Sequence, residues 1–131
     1  QEVLMSQATL AGRDGFRHEI EVASGHTVVF DEPESAGGTN TGPAPTEMLG
    51  AALAACTALT MESYARIKGW DVTGLGVEVD TTYANHRPAS YRVTLTMPPG
   101  LDASQHERLH VIATKCPVHR TLSDAVPVEV V

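Results

Sequence analysis

The sequence predicts an α+β fold, and three patterns carry that expectation. The N-terminal third alternates apolar and polar residues with period two. A long central segment is apolar on nearly every face of a helix. A shorter amphipathic helix follows between further strand-like runs.

In chain order, Val3 to Leu10 is predicted as a first strand, ending at a turn over Gly12-Arg13-Asp14-Gly15. Phe16 to Val22 then sets Phe16, His18, Ile20 and Val22 against Arg17, Glu19 and Glu21, the pattern of a half-buried strand. Ser24-Gly25 suits a tight hairpin turn into a strand from His26 to Asp31. Glu32 to Pro45 holds three prolines and three glycines and reads as an ordered loop, because connections this long tend to be functional.

Pro45 to Lys68 is the strongest helix. Pro45 suits the first helical position and Glu47 the positive N-terminus. Arg66 and Lys68 suit the negative end, and Gly69 the left-handed stop. Its length is about 36 Å. Met48, Leu49, Leu53, Cys56, Leu59, Met61 and six alanines between Ala51 and Ala65 surround its axis. A helix apolar all round is covered all round. One chain of 131 residues has little material for that, so a second copy is expected to supply cover.

Val72 to Tyr83 and Tyr91 to Met97 are predicted strands joined by a polar turn containing Asn85 and Pro88. Asp102 is placed to cap a second helix, Ala103 to Lys115, whose residues Leu109, Ile112 and Ala113 form one stripe with Cys116. Pro117 is expected to end it. Val126 to Val131 reads as a last strand. The predicted order is βββ-α-ββ-α-β in a single domain over residues 1–131.

Nine basic and sixteen acidic residues leave a net charge of −7, which argues against a nucleic-acid partner. The apolar stretch from Met48 to Met61 is shorter than the ~20 residues that span a bilayer, so no membrane role is expected. No signal-peptide pattern is read at the start of the sequence. Two cysteines, Cys56 and Cys116, are no secreted disulfide framework. The expected location is the cytoplasm, where a bond between them is a working bond rather than a staple.

Cys56 lies on the helical stripe Leu49, Ala52, Leu53, Cys56, Leu59, Thr60, where an ordinary core also uses cysteine. Cys116 stands in Lys115-Cys116-Pro117-Val118-His119-Arg120, a locally positive setting that favours thiolate. Two thiols on apolar faces of separate helices can meet in a core. A peroxide-oxidised cysteine forms a sulfenic acid that a second thiol condenses with, and this needs no cofactor. A metal site competes for the same atoms, since His106 and His110 are four apart and Cys116-x-x-His119 has ligand-like spacing. No nucleophile elbow and no phosphate-binding loop is present.

Two separated signatures are familiar. Asp31-Glu32-Pro33, Gly37 to Pro45, Leu49 to Thr57, Tyr64-Ala65 and Lys68-Gly69-Trp70 form one. Lys115 to Leu122 forms the other. Over nearly its whole length the chain resembles the OsmC/Ohr superfamily, most closely the general branch with a Cys-Pro-Val-His-Arg ending. The resemblance implies an intertwined homodimer with two long helices packed against antiparallel β-sheets. It implies a cysteine-based peroxidase that reduces organic hydroperoxides to alcohols in oxidative-stress defence. It makes Cys56 the peroxidatic and Cys116 the resolving thiol, with an external dithiol or lipoyl-type reductant. It also implies an activating Arg, for which Arg17 fits better than Arg13, and an acid near the start of the central helix. Thr46 occupies the family's acid position and Glu47 follows it. Nine helical steps turn Glu47 about 180° from Cys56, so service to a partner subunit's thiol fits better. The alternatives are a non-catalytic dimeric protein that binds small molecules and keeps both thiols reduced, and a metal protein using Cys116 and His119.

Overall fold

The computed structural model describes residues 5–131. Their elements are β1 (Ala8–Asp14), β2 (Arg17–Val22), β3 (Thr27–Phe30), α1 (Pro45–Lys68), β4 (Gly76–Ala84), β5 (Arg87–Thr96), α2 (Ala103–Ala113) and α3 (Pro117–Ser123). Helices and purely antiparallel sheets occupy separate stretches of chain, an α+β fold. The chain divides into two compact units, one ending at Met48 and one running Leu49–Val131. No described helix is long and apolar enough to cross a membrane.

In the N-terminal unit β1, β2 and β3 form a meander. The predicted first strand begins at Val3, outside the described residues, and β1 continues to Asp14. The reversal is tighter than predicted. Asp14 pairs with Arg17, so Gly15 and Phe16 alone make the turn, and Gly15 takes φ 62. Glycine relieves the steric cost of that φ. Phe16 is therefore a turn residue, and an irregularity between Leu10 and Gly12 shifts the register. The second reversal is looser than predicted. Gly25 N–H donates to Val22 O and Val22 N–H to His26 O, and β3 starts at Thr27.

The loop after β3 is braced by one carboxylate. Asp31 is 1% exposed. It accepts the Thr39 hydroxyl at 2.7 Å, the Thr41 hydroxyl at 2.6 Å, and the N–H groups of Glu32 at 2.7 Å and Thr41 at 3.0 Å. The Thr41 and Thr39 hydroxyls and the backbone N–H groups hold its pKa far below the usual carboxylate range, against a smaller opposing push from burial. Gly38 lets the loop close, because a Cβ there would lie 2.0 Å from Glu32 O. A single 3-10 turn, Glu34–Ala36, sits inside the loop.

Helix α1 has the predicted limits. Ala44 N–H donates to Glu47 Oε1 at 3.3 Å, half of a capping box. At the other end Trp70 N–H bonds Ala65 O and Gly69 N–H bonds Arg66 O, with Gly69 at φ 72, the Schellman arrangement. Only the stripe Gly50, Leu53, Thr57, Met61 and Ala65 is buried. Leu49 is 43% and Leu59 61% exposed, so one copy does not cover the helix all round.

In the C-terminal unit β4 and β5 pair through a two-residue turn at Asn85-His86, with φ 53 and 63. Pro88, predicted in the turn, lies inside β5 opposite Tyr83 at an irregularity in the ladder. Met61, Ala65, Leu109 and Ala113 form the buried core, flanked by Trp70, Leu95 and Met97. Asp102 and Gln105 cap α2 reciprocally. Two predictions fail here. Helix α2 stops at Ala113 and Pro117 starts a third helix, because the residue before proline avoids helical angles and Cys116 sits at φ −56, ψ 127. Residues 126–131 are not a strand. Val128 and Val130 are 86% and 93% exposed, Pro127 has no N–H to donate, and no described strand lies alongside.

Two outcomes test this account. Leu109→Ala is expected to cost about 2–5 kcal/mol of unfolding free energy in denaturant titration, because a fully buried side chain leaves a cavity. Asp31→Ala is expected to speed hydrogen exchange at the Thr41 amide. In the wild type the carboxylate brace is complete above pH 3.8 and is lost only as pH falls through the much lower folded value, so this protection persists at pH 5.

Candidate active site

Cys56 lies mid-helix in α1, one position from the buried Thr57. Cys116 is fully buried at the N-cap of α3. The proline break between α2 and α3 turns the Cys116 side chain back along the new helix, where it accepts His119 N–H at 3.4 Å. Both cysteines are free thiols, and each perturbs the titration of the other, so the two side chains are close neighbours. Residues far apart in sequence are thus brought together within the C-terminal unit.

The two sulfurs are not equivalent. Burial pushes the Cys56 thiol up, but hydrogen bonds from Cys116, the Val118 N–H and Thr60 outweigh it, so its pKa lies below the ordinary 9.0. Burial pushes Cys116 up, and its bond to Cys56 adds to that, while the His119 and Val118 N–H groups oppose it weakly. The net result is that Cys116 keeps its proton more tightly than Cys56 does. The first turn of α3 supplies N–H groups to both sulfurs, which a helix start leaves without intrahelical partners. Thr60 Oγ1 also donates to Cys56 O at 2.7 Å.

Beside the pair, α1, β5 and α3 enclose a groove of about 490 Å³. Leu49, Leu53, Tyr91 and Leu122 give it apolar walls, and His119 and Arg87 also line it. A smaller hollow of about 80 Å³ between Thr57, Val93 and Ala113 shares His119.

The other expected residues have partners of their own. Arg17 opens β2 in the N-terminal unit and pairs with Glu19 at 3.6 Å, both partly exposed. Arg13 faces His18 in the β1–β2 ladder. Glu47 caps the start of α1. His106 Nε2 lies 2.6 Å from Pro98 O. Among the described residues no three His, Cys, Asp or Glu side chains converge on one point. The expected site did not include the Val118 N–H, the groove-facing Arg87 or the Asp31 brace. Pro117, readable as a first helical residue, was the available signal for the N–H groups.

A model of the family described as OsmC-like protein matches residues 38–131, most of the chain. The chain belongs to the OsmC-like protein family. No curated protein sequence matches it. Among solved structures, this OsmC-like chain is similar to a Psychrobacter arcticus protein named for osmotic stress and detoxification response, with 24% identity and a TM-score of 0.75 over 92% of this chain and 89% of that one. An OsmC-like protein of Mycoplasma pneumoniae shares 18% identity with a TM-score of 0.71, over 93% and 88%. An organic hydroperoxide resistance protein OsmC of Legionella pneumophila shares 18% with a TM-score of 0.63, over 93% and 91%. At these identities the likeness is one of fold.

Replacing the neighbouring thiol tests the asymmetry of this OsmC-like pair. Cys116→Ala removes a group that lowers the Cys56 pKa. The pH midpoint for alkylation of Cys56 by iodoacetamide, below 9.0 in the wild type, is expected to move up in the variant.

Proposed function

We propose that this protein is a cysteine-based peroxidase that reduces organic hydroperoxides to alcohols in the cytoplasm, in oxidative-stress defence. The observation that carries the reading is the neighbouring Cys56–Cys116 pair, with a lowered pKa on one thiol and a raised pKa on the other. The thiolate is the nucleophile, and a retained proton on the neighbour is what the second step needs.

The Cys56 thiolate attacks the terminal peroxide oxygen. The O–O bond breaks, the alkoxide takes a proton to leave as the alcohol, and Cys56 becomes a sulfenic acid. Cys116 sulfur then displaces the sulfenic hydroxyl, which leaves with a proton as water, and the disulfide forms. An external dithiol, of which a lipoyl group is one type, returns both thiols by exchange and is itself oxidised. The Val118 and His119 N–H groups steady sulfur charge during these steps. The apolar groove at Leu53 and Tyr91 favours an organic peroxide over hydrogen peroxide.

The incompletely covered α1 supports a homodimer as the working form. The family resemblance adds Arg17 and Glu47 as supporting charges. The Arg17–Glu19 pair is exposed and weak, so it does not bar Arg17 from that role.

A thiol count with one equivalent of cumene hydroperoxide tests the reading. The wild type is expected to lose both thiols quickly, and hydrogen peroxide to act more slowly. Cys56→Ser is expected to abolish turnover, whereas Cys116→Ser stops at a stoichiometric sulfenic acid. Survival of both wild-type thiols would instead leave a binding protein with the family fold.

A further inference from the structure

Each step of peroxide cleavage by a thiol pair releases an oxygen anion that must take a proton. His119 stands in the first turn of α3. Its backbone N–H bonds the Cys116 sulfur at 3.4 Å, and the Val118 N–H lowers the Cys56 pKa. Residues 118 and 119 thus lie against both thiols. His119 lines the groove of about 490 Å³ together with Leu53, and the hollow of about 80 Å³ together with Thr57. Leu53 and Thr57 both belong to the buried stripe of α1, about 6 Å apart in helical rise. Cys56 falls between them, so His119 stands at the height of Cys56 along the helix axis.

The His119 imidazole has no hydrogen-bond or ion-pair partner among the described residues, where only its backbone N–H is engaged. No carboxylate lines the groove or the hollow. Imidazole is the side-chain type that both gives and takes a proton near neutral pH. The other titratable groups around it suit that task less. Arg87 of β5 also lines the groove, but a guanidinium does not give up its proton. Burial pushes the Tyr91 phenol of β5 up, away from neutral pH. His110 of α2 lines the hollow and not the groove. Cys116 is itself a reactant.

We propose that His119 is the proton carrier of the reaction, an assignment that rests on the peroxidase reading. Its imidazolium protonates the alkoxide as the Cys56 thiolate takes the terminal oxygen, so the alcohol leaves and neutral imidazole remains. That imidazole then takes the proton of the Cys116 thiol, whose sulfur attacks the Cys56 sulfenic acid. The S–S bond forms, the S–O bond breaks, and the imidazolium protonates the departing hydroxide to water. The two thiols together lose two electrons to the peroxide. The external dithiol returns two electrons and two protons, one proton to Cys116 and one to His119. A base beside Cys116 also accounts for how a buried thiol that holds its proton serves as the resolving group.

Single-turnover kinetics with two classes of peroxide test the assignment. Cumene hydroperoxide releases an alkoxide, which needs a proton, whereas peracetic acid releases a carboxylate, which does not. With cumene hydroperoxide, His119→Gln is expected to slow the loss of the Cys56 thiol about 100-fold. With peracetic acid the slowing of that step is expected to be far smaller, while the disulfide closure that follows is delayed. Dissolved imidazole is expected to restore part of the cumene hydroperoxide rate in His119→Ala. Equal slowing of the first step on both peroxides overturns the proposal, because a packing defect does not sense the leaving group, and it leaves the peroxidase reading standing. An unslowed His119→Gln on cumene hydroperoxide overturns it as well. A wild type that consumes neither peroxide removes the peroxidase reading and this assignment with it.

Discussion

Pro117 cannot donate a backbone hydrogen bond, and its ring keeps Cys116 out of helical angles. That constraint stops α2 at Ala113 and lets α3 begin one residue after Cys116. Had the helix continued, Cys116 would be one more residue on an apolar stripe. With the break, its sulfur caps a new helix and faces Cys56. The proximity of the two thiols and the Val118 and His119 N–H groups around them follow from that placement. The chemistry open to the pair depends on who holds the proton, and burial alone would have raised both pKa values. The N–H groups and the Cys116 thiol are what turn the Cys56 shift downward despite burial.

Asp31 plays the corresponding part in the N-terminal unit. A buried carboxylate is costly unless its oxygens are occupied, and here two hydroxyls and backbone N–H groups occupy them. The segment between β3 and α1 is therefore a fixed brace, closed by the missing Cβ of Gly38.

Helix α1 joins local and global demands. Its ends satisfy themselves, through Glu47 at one and Gly69 with Trp70 at the other. Its middle does not, since a single copy buries one stripe and leaves Leu49 and Leu59 largely uncovered. The stripe it does bury anchors the core through Met61 and Ala65, and Leu53 runs from that stripe into the groove. One helix thus supplies the core, one thiol of the pair and a groove wall.

Local chemistry made much of this legible in advance. The α+β class, both limits of α1 and the Asp102 cap followed from periodicity and capping residues, because each depends on neighbours within a few positions. Tertiary structure decided the rest. The turn at Gly15-Phe16 depends on cross-strand register, which a single strand does not encode. Pro88 is tolerated in β5 because the ladder is irregular there. Residues 126–131 carry the valines of a strand, but a strand needs a partner edge, and none is beside them among the described residues. The unequal pKa values of Cys56 and Cys116 and the placement of Arg87 at the groove likewise come from groups distant in sequence. Sequence by itself determined the fold class, the limits of the central helix and which thiols are available. Only the folded chain decided which thiol is the more acidic and which charge faces the groove, because both depend on long-range proximity and burial.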